Sequence, residues 1–410
     1  MRNQAIKISL FINYFVFAIL LNSVGIVMLK SQKVYGVDEV AASTLELFKD
    51  MPIAIFSFLI ASFLPRIGYK RAMLAALAIV TLASISMYFG NSFSSAKLLF
   101  AAVGVSFALI KVSVYSVIGL VTADEKAHNS LMSNVEGVFM FGVALAYFLF
   151  PAFNTPDDPN GWLNVYWLLA GLSVVSFVFL YRAEFDEGDE IPGADLKEDF
   201  LAMFKLLSRV LVIVFIFSAF LFVMIEQGIM TWLPTFNDRV LKLPPDLENI
   251  AIMLSSILAI SLAIGRFLAG FLTRYFSWVL VLSGCLIGAM AMVTLVLPKA
   301  VSADFGEITS ITDIPFIGYA FPLVGLFIAP IYPLLNSVVL SALPKRLHSP
   351  MSGLIIIFSA LGGTLGSRLI GILFKEVGAE TAFSYTLIPM GILFAMLFVL
   401  KRLTDKEKTS

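Results

Sequence analysis

The sequence predicts an all-α integral membrane protein with about twelve transmembrane helices in two six-helix bundles. Three observations carry this expectation. Of 410 residues, 59% are hydrophobic and 14% charged, against roughly 45–50% apolar and 25% charged in a soluble domain. The apolar residues come in runs of about 20, the length at which a helix crosses the hydrocarbon layer. They do not alternate as barrel strands do. A long polar stretch then separates the runs into two groups of similar size.

The spans read, in order, 8–29, 42–64, 72–90, 97–120, 129–150, 161–181, 208–233, 248–272, 278–297, 314–343, 351–374 and 380–400. The tenth is too long for one straight span. Pro322, Pro330 and Pro333 should kink it, since each removes a backbone donor. Between the sixth and seventh spans lies an acidic connector with Glu184, Asp186, Glu187, Asp189 and Glu190. The expected domains are therefore 1–182, an N-terminal bundle; 183–206, a linker; and 207–410, a C-terminal bundle with its tail.

Composition also excludes. Net charge is zero, so nothing points to nucleic acid. One cysteine, Cys285, rules out an internal disulfide framework and a four-thiolate metal site. His128 and His348 fall in predicted short loops, where a lone histidine is usually solvated. The first apolar run is too long, and lacks the small-residue site, for a cleavable signal peptide. No phosphate-binding loop appears: the run Gly362-Gly363-Thr364-Leu365-Gly366 has no preceding strand and no following Lys, and reads as close helix packing. No cofactor is expected, and the predicted energy source is a proton gradient. An intramembrane enzyme would need a nucleophile with a His, paired Asp residues or metal-spaced His, and no such constellation is present.

Orientation follows from the loop cations. With the N-terminus inside, Arg2, Lys7, Arg66, Lys70, Arg71, Arg182, Lys197, Lys205, Arg274, Lys345, Arg346, Lys401, Arg402, Lys406 and Lys408 fall on the cytoplasmic side. The opposite side collects chiefly Lys30, Lys33, Lys97, Arg239, Lys242, Lys299 and Lys375. Both termini are thus placed in the cytoplasm and the chain in an inner membrane. The halves echo one another: Leu64-Pro65-Arg66-Ile67-Gly68-Tyr69-Lys70-Arg71 follows the second span, and Gly270-Phe271-Leu272-Thr273-Arg274-Tyr275 follows the eighth. Two halves with internal repeats and a central loop are the pattern of a two-bundle transporter.

Over essentially its whole length the chain resembles the major facilitator superfamily. Arg66, Gly68, Lys70 and Arg71 match that family's basic second-to-third loop, while Pro65 replaces its Asp and Ala61 its first Gly. Within the family, Leu21-Asn22-Ser23-Val24-Gly25-Ile26-Val27-Met28-Leu29-Lys30 and Ala329-Pro330-Ile331-Tyr332-Pro333 are similar to the fucose–galactose–glucose proton symporters. Ser23 stands where those symporters carry a membrane Asp, and 108–111 offers no acid early in the fourth helix.

Charges inside spans cost several kcal/mol or more and are functional candidates by default. Lys111 lies roughly 13 Å and Glu136 roughly 10 Å from the cytoplasmic end of their spans, counting about 1.5 Å per residue. Arg266 lies roughly 9 Å in from the same side. The resemblance implies that the fifth and eighth helices face one another, as do the second and eleventh. The expectation is therefore two gating ion pairs, Glu136 with Arg266 and Asp50 with Arg368. Glu46, Lys49 and Asp50 share one face of the second span, with Glu46 expected to be wet at the outer end. Glu226 has no basic residue near it on its own helix and is the candidate proton or substrate group. The resemblance makes the first, fourth, seventh and tenth helices line the cavity. Asn13, Asn22, Tyr115, Gln227, Trp232, Tyr332 and Asn336 are its candidate polar and aromatic contacts.

The leading reading is a monomeric, proton-coupled secondary transporter of a small polar organic solute, sugar-like or anionic. Lys111 would suit an anion if Glu136 does not neutralise it. The runners-up are a proton-driven exporter of amphipathic compounds and a non-transporting sensor on the same fold.

Overall fold

In hydrocarbon a backbone N–H or C=O has no water to bond, so the chain must satisfy its own peptide groups within each segment. The computed structural model shows that solution: the described residues, 2–122, 125–154, 158–183, 201, 203–243, 247–303, 308, 310–343 and 347–409, form helices joined by short turns, with no strand among them. Eleven helices among the described residues are long and apolar enough to cross a membrane. The helix Thr44–Ile67, of 24 residues, has the length for a twelfth. Most of the acidic connector, including Lys197, lies outside the described residues, as do Lys345 and Arg346 and the side chains of Arg66 and His348.

The chain divides into two compact units, Met1–Val37 with Thr44–Glu198, and Asp38–Ser43 with Asp199–Ser410. The first is built from α1 (Arg2–Asn22), α2 (Val24–Tyr35), α4 (Thr44–Ile67), α5 (Tyr69–Gly90), α6 (Phe93–Val121), α7 (Glu125–Phe153) and α8 (Val165–Arg182). The intervening α3 (Glu39–Ala42) belongs to the second unit. In the first unit α1 packs on α6, α7 and α8, and α6 also on α4 and α5. The first span is longer than its apolar run: Val27 N–H reaches Ser23 C=O at 2.9 Å, so α2 continues α1 almost without interruption. It stops at Gly36, whose φ of +64° lets its N–H turn back to Ser31 C=O.

The second unit contains α9 (Val210–Leu241), α10 (Glu248–Leu272), α11 (Trp278–Ala291), α12 (Leu297–Ser302), α13 (Phe316–Ala320), α14 (Gly325–Ile328), α15 (Ile331–Ala342), α16 (His348–Glu376), α17 (Ala379–Ala382) and α18 (Leu387–Thr409). The tenth span is broken as the prolines require. Pro322 opens a 3₁₀ turn, Phe321–Val324, and Pro330 separates α14 from α15. A similar cause acts in the ninth span. Pro298 cannot donate to the carbonyl of Thr294, and a π turn over Met292–Val296 absorbs the loss. Both histidines were expected in loops, but His128 lies in the first turn of α7 and His348 opens α16, because both helices begin earlier than their apolar runs.

The closest helix pair in the second unit is α9 with α16. A Cβ on Gly362 would stand 2.4 Å from Phe220 C=O, and one on Gly366 would stand 2.2 Å from Met224 C=O. The glycine run is therefore a packing stripe, four residues apart along one face, that lets two backbones touch. Gly366→Leu is expected to cost about 1–3 kcal/mol through overpacking, measured as a lowered unfolding temperature of the purified protein. Gly391→Leu serves as the control, since nothing lies within 4 Å of a Cβ there.

Candidate transport site

The first unit gathers its intramembrane charges on α1, α6 and α7. On α6, Phe107, Lys111 and Tyr115 recur every fourth residue and share a face. On α7, Glu136 and Phe139 share a face in the same way. The Tyr115 hydroxyl donates to Glu136 Oε1 at 2.8 Å. Tyr14 of α1 lies beside both: its ring is 6.4 Å from that of Tyr115 and 5.8 Å from that of Phe139. Phe107 and Phe139 are 6.3 Å apart. Lys111 Nζ lies 5.8 Å from the centre of the Phe107 ring, and no carboxylate among the described residues stands within ion-pair distance of it. Glu136 makes no ion-pair contact with Lys111; its Oε1 accepts from the Tyr115 hydroxyl.

A second cluster lies on α4. Lys49 Nζ is 2.5 Å from Glu46 Oε1 and 3.5 Å from Asp50 Oδ1. Glu46, expected to be wet, is fully buried. Asp50 thus has a cation on its own helix, one residue away.

In the second unit, Glu226 of α9 does have a basic partner: Arg266 of α10 approaches its Oε1 to 3.8 Å. The sequence offered no sign of this, since the two residues lie on different helices. Nearby on α15, Tyr332 shares a hydrogen bond of 3.1 Å with Ser359 of α16 and stacks on Phe222 at 5.8 Å. Asn336 Oδ1 is buried without a partner, and Gln227 is half-buried.

Other candidates are spent on packing. Trp232 is fully buried against Phe374 and gives its one N–H to Ser367 C=O at 2.8 Å. Asn13 is fully buried, donating to Ser9 Oγ at 3.3 Å beside Ser176 of α8. Asn22 donates to Ala18 C=O at 2.8 Å on its own helix. All three side chains were expected on a cavity wall; Trp232 instead joins α9 to α16, while Asn13 and Asn22 bond within α1.

Four groups expected in cross-bundle pairs each have a contact inside their own unit: Asp50 with Lys49, Glu136 with Tyr115, Arg266 with Glu226, and Arg368 with Val40 C=O and Ser43 Oγ. The last contact reveals a feature missed in the sequence, a strap over residues 38–43. Asp38 caps α3 by accepting from Ala41 N–H at 2.7 Å and takes a 2.9 Å ion pair from Lys375. Glu39 pairs with Arg239. Arg368 caps the other end of α3, where helix carbonyls lack partners. Gly371 leaves room for it, since a Cβ there would come within 3.1 Å of Glu39 C=O. Only the facing signs of Asp38 and Glu39 against Arg239 and Lys375 could have signalled this arrangement.

Such a chain, membrane-spanning and with ionic groups held inside its spans, falls in the class of polytopic helical transporters. The sequence profile of the Major Facilitator Superfamily matches residues 8–367, and the chain belongs to that family. It is a transporter and not an enzyme, with a small-molecule substrate and a bilayer around it. A search of curated proteins by sequence gives no match. Among solved structures, a bacterial homologue of the human lysosomal transporter Spinster, inward-facing and unoccupied, aligns at TM-score 0.76 and 13% identity, covering 99% of this chain and 98% of that one. The nucleoside transporter NupG aligns at 0.74 and 14% identity, covering 98% of each chain. The E. coli fucose:proton symporter FucP aligns at 0.61 and 14% identity, covering 98% and 99%. These likenesses show the fold.

The strap carries a pH dependence with a defined sign. The Lys375 hydrogen bond, helped by Ala41 N–H, holds the Asp38 carboxyl below its ordinary value. For Glu39, burial pushes upward most strongly of any single cause, but the Arg239 hydrogen bond, a backbone hydrogen bond and the Arg239 charge together outweigh it, leaving the group lowered. A lowered folded value means the pairs stabilise above the ordinary carboxylate range and lose that contribution as pH falls through the folded value. Thermal unfolding of Asp38→Asn and Glu39→Gln should therefore lie below wild type near neutral pH and converge with it in acid.

Proposed function

We propose that the chain is a proton-coupled secondary transporter of a small polar organic solute, sugar-like or anionic. It sits in an inner membrane with both termini cytoplasmic. One observation supports this most: among the described residues each unit holds a carboxylate inside an apolar span with one hydrogen-bond or ion-pair neighbour, Glu136 on Tyr115 and Glu226 beside Arg266. A carboxylate with one such neighbour changes its protonation when that neighbour is drawn elsewhere. That supplies the differential free energy an alternating cycle needs. In this reading Glu136, Arg266, Asp50 and Arg368 exchange partners during the cycle. The similarity in fold to FucP, a fucose:proton symporter, accords with it.

A second reading, export of amphipathic compounds, is favoured by a different observation. The second unit contains a cavity of about 580 Å³ walled by apolar groups including Leu268, Leu272, Phe276, Cys285 and Phe327.

The test is reconstitution into proteoliposomes with an imposed pH gradient and a panel of labelled sugars, organic anions and amphipathic dyes. A solute should accumulate against its gradient, and a protonophore should abolish the accumulation. Glu226→Gln should retain exchange of that solute between the two sides while losing gradient-driven accumulation. Accumulation that survives the protonophore would sink the proton coupling.

A further inference from the structure

We infer that Lys111, Glu136 and the rings of Tyr14, Phe107, Tyr115 and Phe139 form a binding site for an aromatic monocarboxylate, with a proton bound alongside it on Glu136. This rests on the transporter reading above and names its substrate class.

The argument begins with Lys111. An ammonium in the middle of an apolar span needs a counter-charge or a strong substitute. Lys111 has an aromatic face at 5.8 Å and no carboxylate in ion-pair contact among the described residues. A cation over a ring gains about 0.5–2 kcal/mol, well short of what desolvating an ammonium costs. An incoming anion is therefore the favourable partner. Lys111, Phe107, Glu136 and Phe139 are half-buried, and Tyr115 is 37% exposed, so the group lies on an accessible face.

The rings select the rest of the ligand. Four aromatic side chains, with centroids 5.8–6.4 Å apart, surround the two charges. Such rings take a flat apolar body by stacked or edge contact. An aliphatic acid would leave that surface unused. A dianion such as phosphate would bring two negative charges to one lysine with Glu136 close by.

Glu136 couples the proton. An anion at Lys111 places a second negative charge near the Glu136 carboxylate, and protonating Glu136 removes the repulsion. Anion and proton then bind cooperatively, each raising the other's affinity by the same factor. The groups that face Glu136 are Tyr115 and Lys111 of α6 and Tyr14 of α1. The two tyrosines carry no charge at neutral pH, so Lys111 alone sets the electrostatic balance among them. The Tyr115 hydroxyl turns between donating to the carboxylate and accepting from the protonated acid.

The experiment uses the purified full chain in lipid nanodiscs and calorimetric titration with benzoate, with acetate and benzyl alcohol as controls. Benzoate should bind, with acetate and benzyl alcohol weaker by about tenfold or more, since each lacks one half of the recognition. Affinity for benzoate should fall about tenfold per pH unit once Glu136 is ionised, the slope of one linked proton. Lys111→Gln should lose benzoate binding, and Lys111→Arg should keep it. Glu136→Gln should bind benzoate with a flat pH profile. Equal binding of benzyl alcohol, benzoate binding untouched by Lys111→Gln, or a pH slope that persists in Glu136→Gln would each overturn the inference. If Lys111→Gln does not fold, the benzyl alcohol comparison and Lys111→Arg decide. Gradient-driven accumulation of another solute without any benzoate binding would remove this site and leave the transporter reading standing. Benzoate binding with these variant effects, but no gradient-driven movement of any solute, would do the reverse.

Discussion

A charge in hydrocarbon has no water to fall back on, and that single constraint arranges the functional part of this protein. Most of the chain obeys the simple form of the rule, filling its spans with Leu, Ile, Val, Phe and Ala. The exceptions are few, and each is met by a specific neighbour. Lys49 is shared by Glu46 and Asp50, Arg266 stands by Glu226, and Tyr115 donates to Glu136. Lys111 is met by a ring. That difference is the observation on which the proposed ligand site at Lys111 rests.

The same economy governs neutral polar groups. Trp232, Asn13 and Asn22 each spend a donor on a neighbouring carbonyl or hydroxyl. Where no side chain intervenes, backbones approach directly, as where Gly362 and Gly366 of α16 meet α9. Packing of this kind leaves little slack, so the proposed exchange of ionic partners calls for whole helices to move. The strap at 38–43 shows how such a partner is held: two ion pairs and an arginine on the end of a four-residue helix that could not stand alone.

Much of this was legible in the residues. The spans appear where hydropathy placed them, most helices extending a few residues beyond the apolar run, because helical hydrogen bonding continues into the interfacial region. Pro322 and Pro330 break the tenth span as expected. What the residues did not give was the partner each group has inside its own unit. Depth along the helix matched Arg266 with Glu136 and said nothing of the contact Arg266 makes with Glu226. Glu46 was judged wet from its distance to a helix end, yet it is buried by Lys49 and its surroundings. Nothing in the sequence singles out Asp38 and Glu39, whose cations lie more than 300 and 200 residues away in the chain.

By itself, the sequence determined that the protein spans a membrane many times, in two halves, with a handful of ionic groups where they are costly. Those properties are sums over short windows, and a linear chain records them directly. Only the tertiary structure decided which cation meets which acid and which tryptophan is spent on packing. It also decided that Lys111 meets the Phe107 ring while Tyr115 donates to Glu136. An ion pair depends on atoms within about 4 Å across separate helices. That distance is fixed by helix rotation and side-chain packing, which no one-dimensional pattern contains.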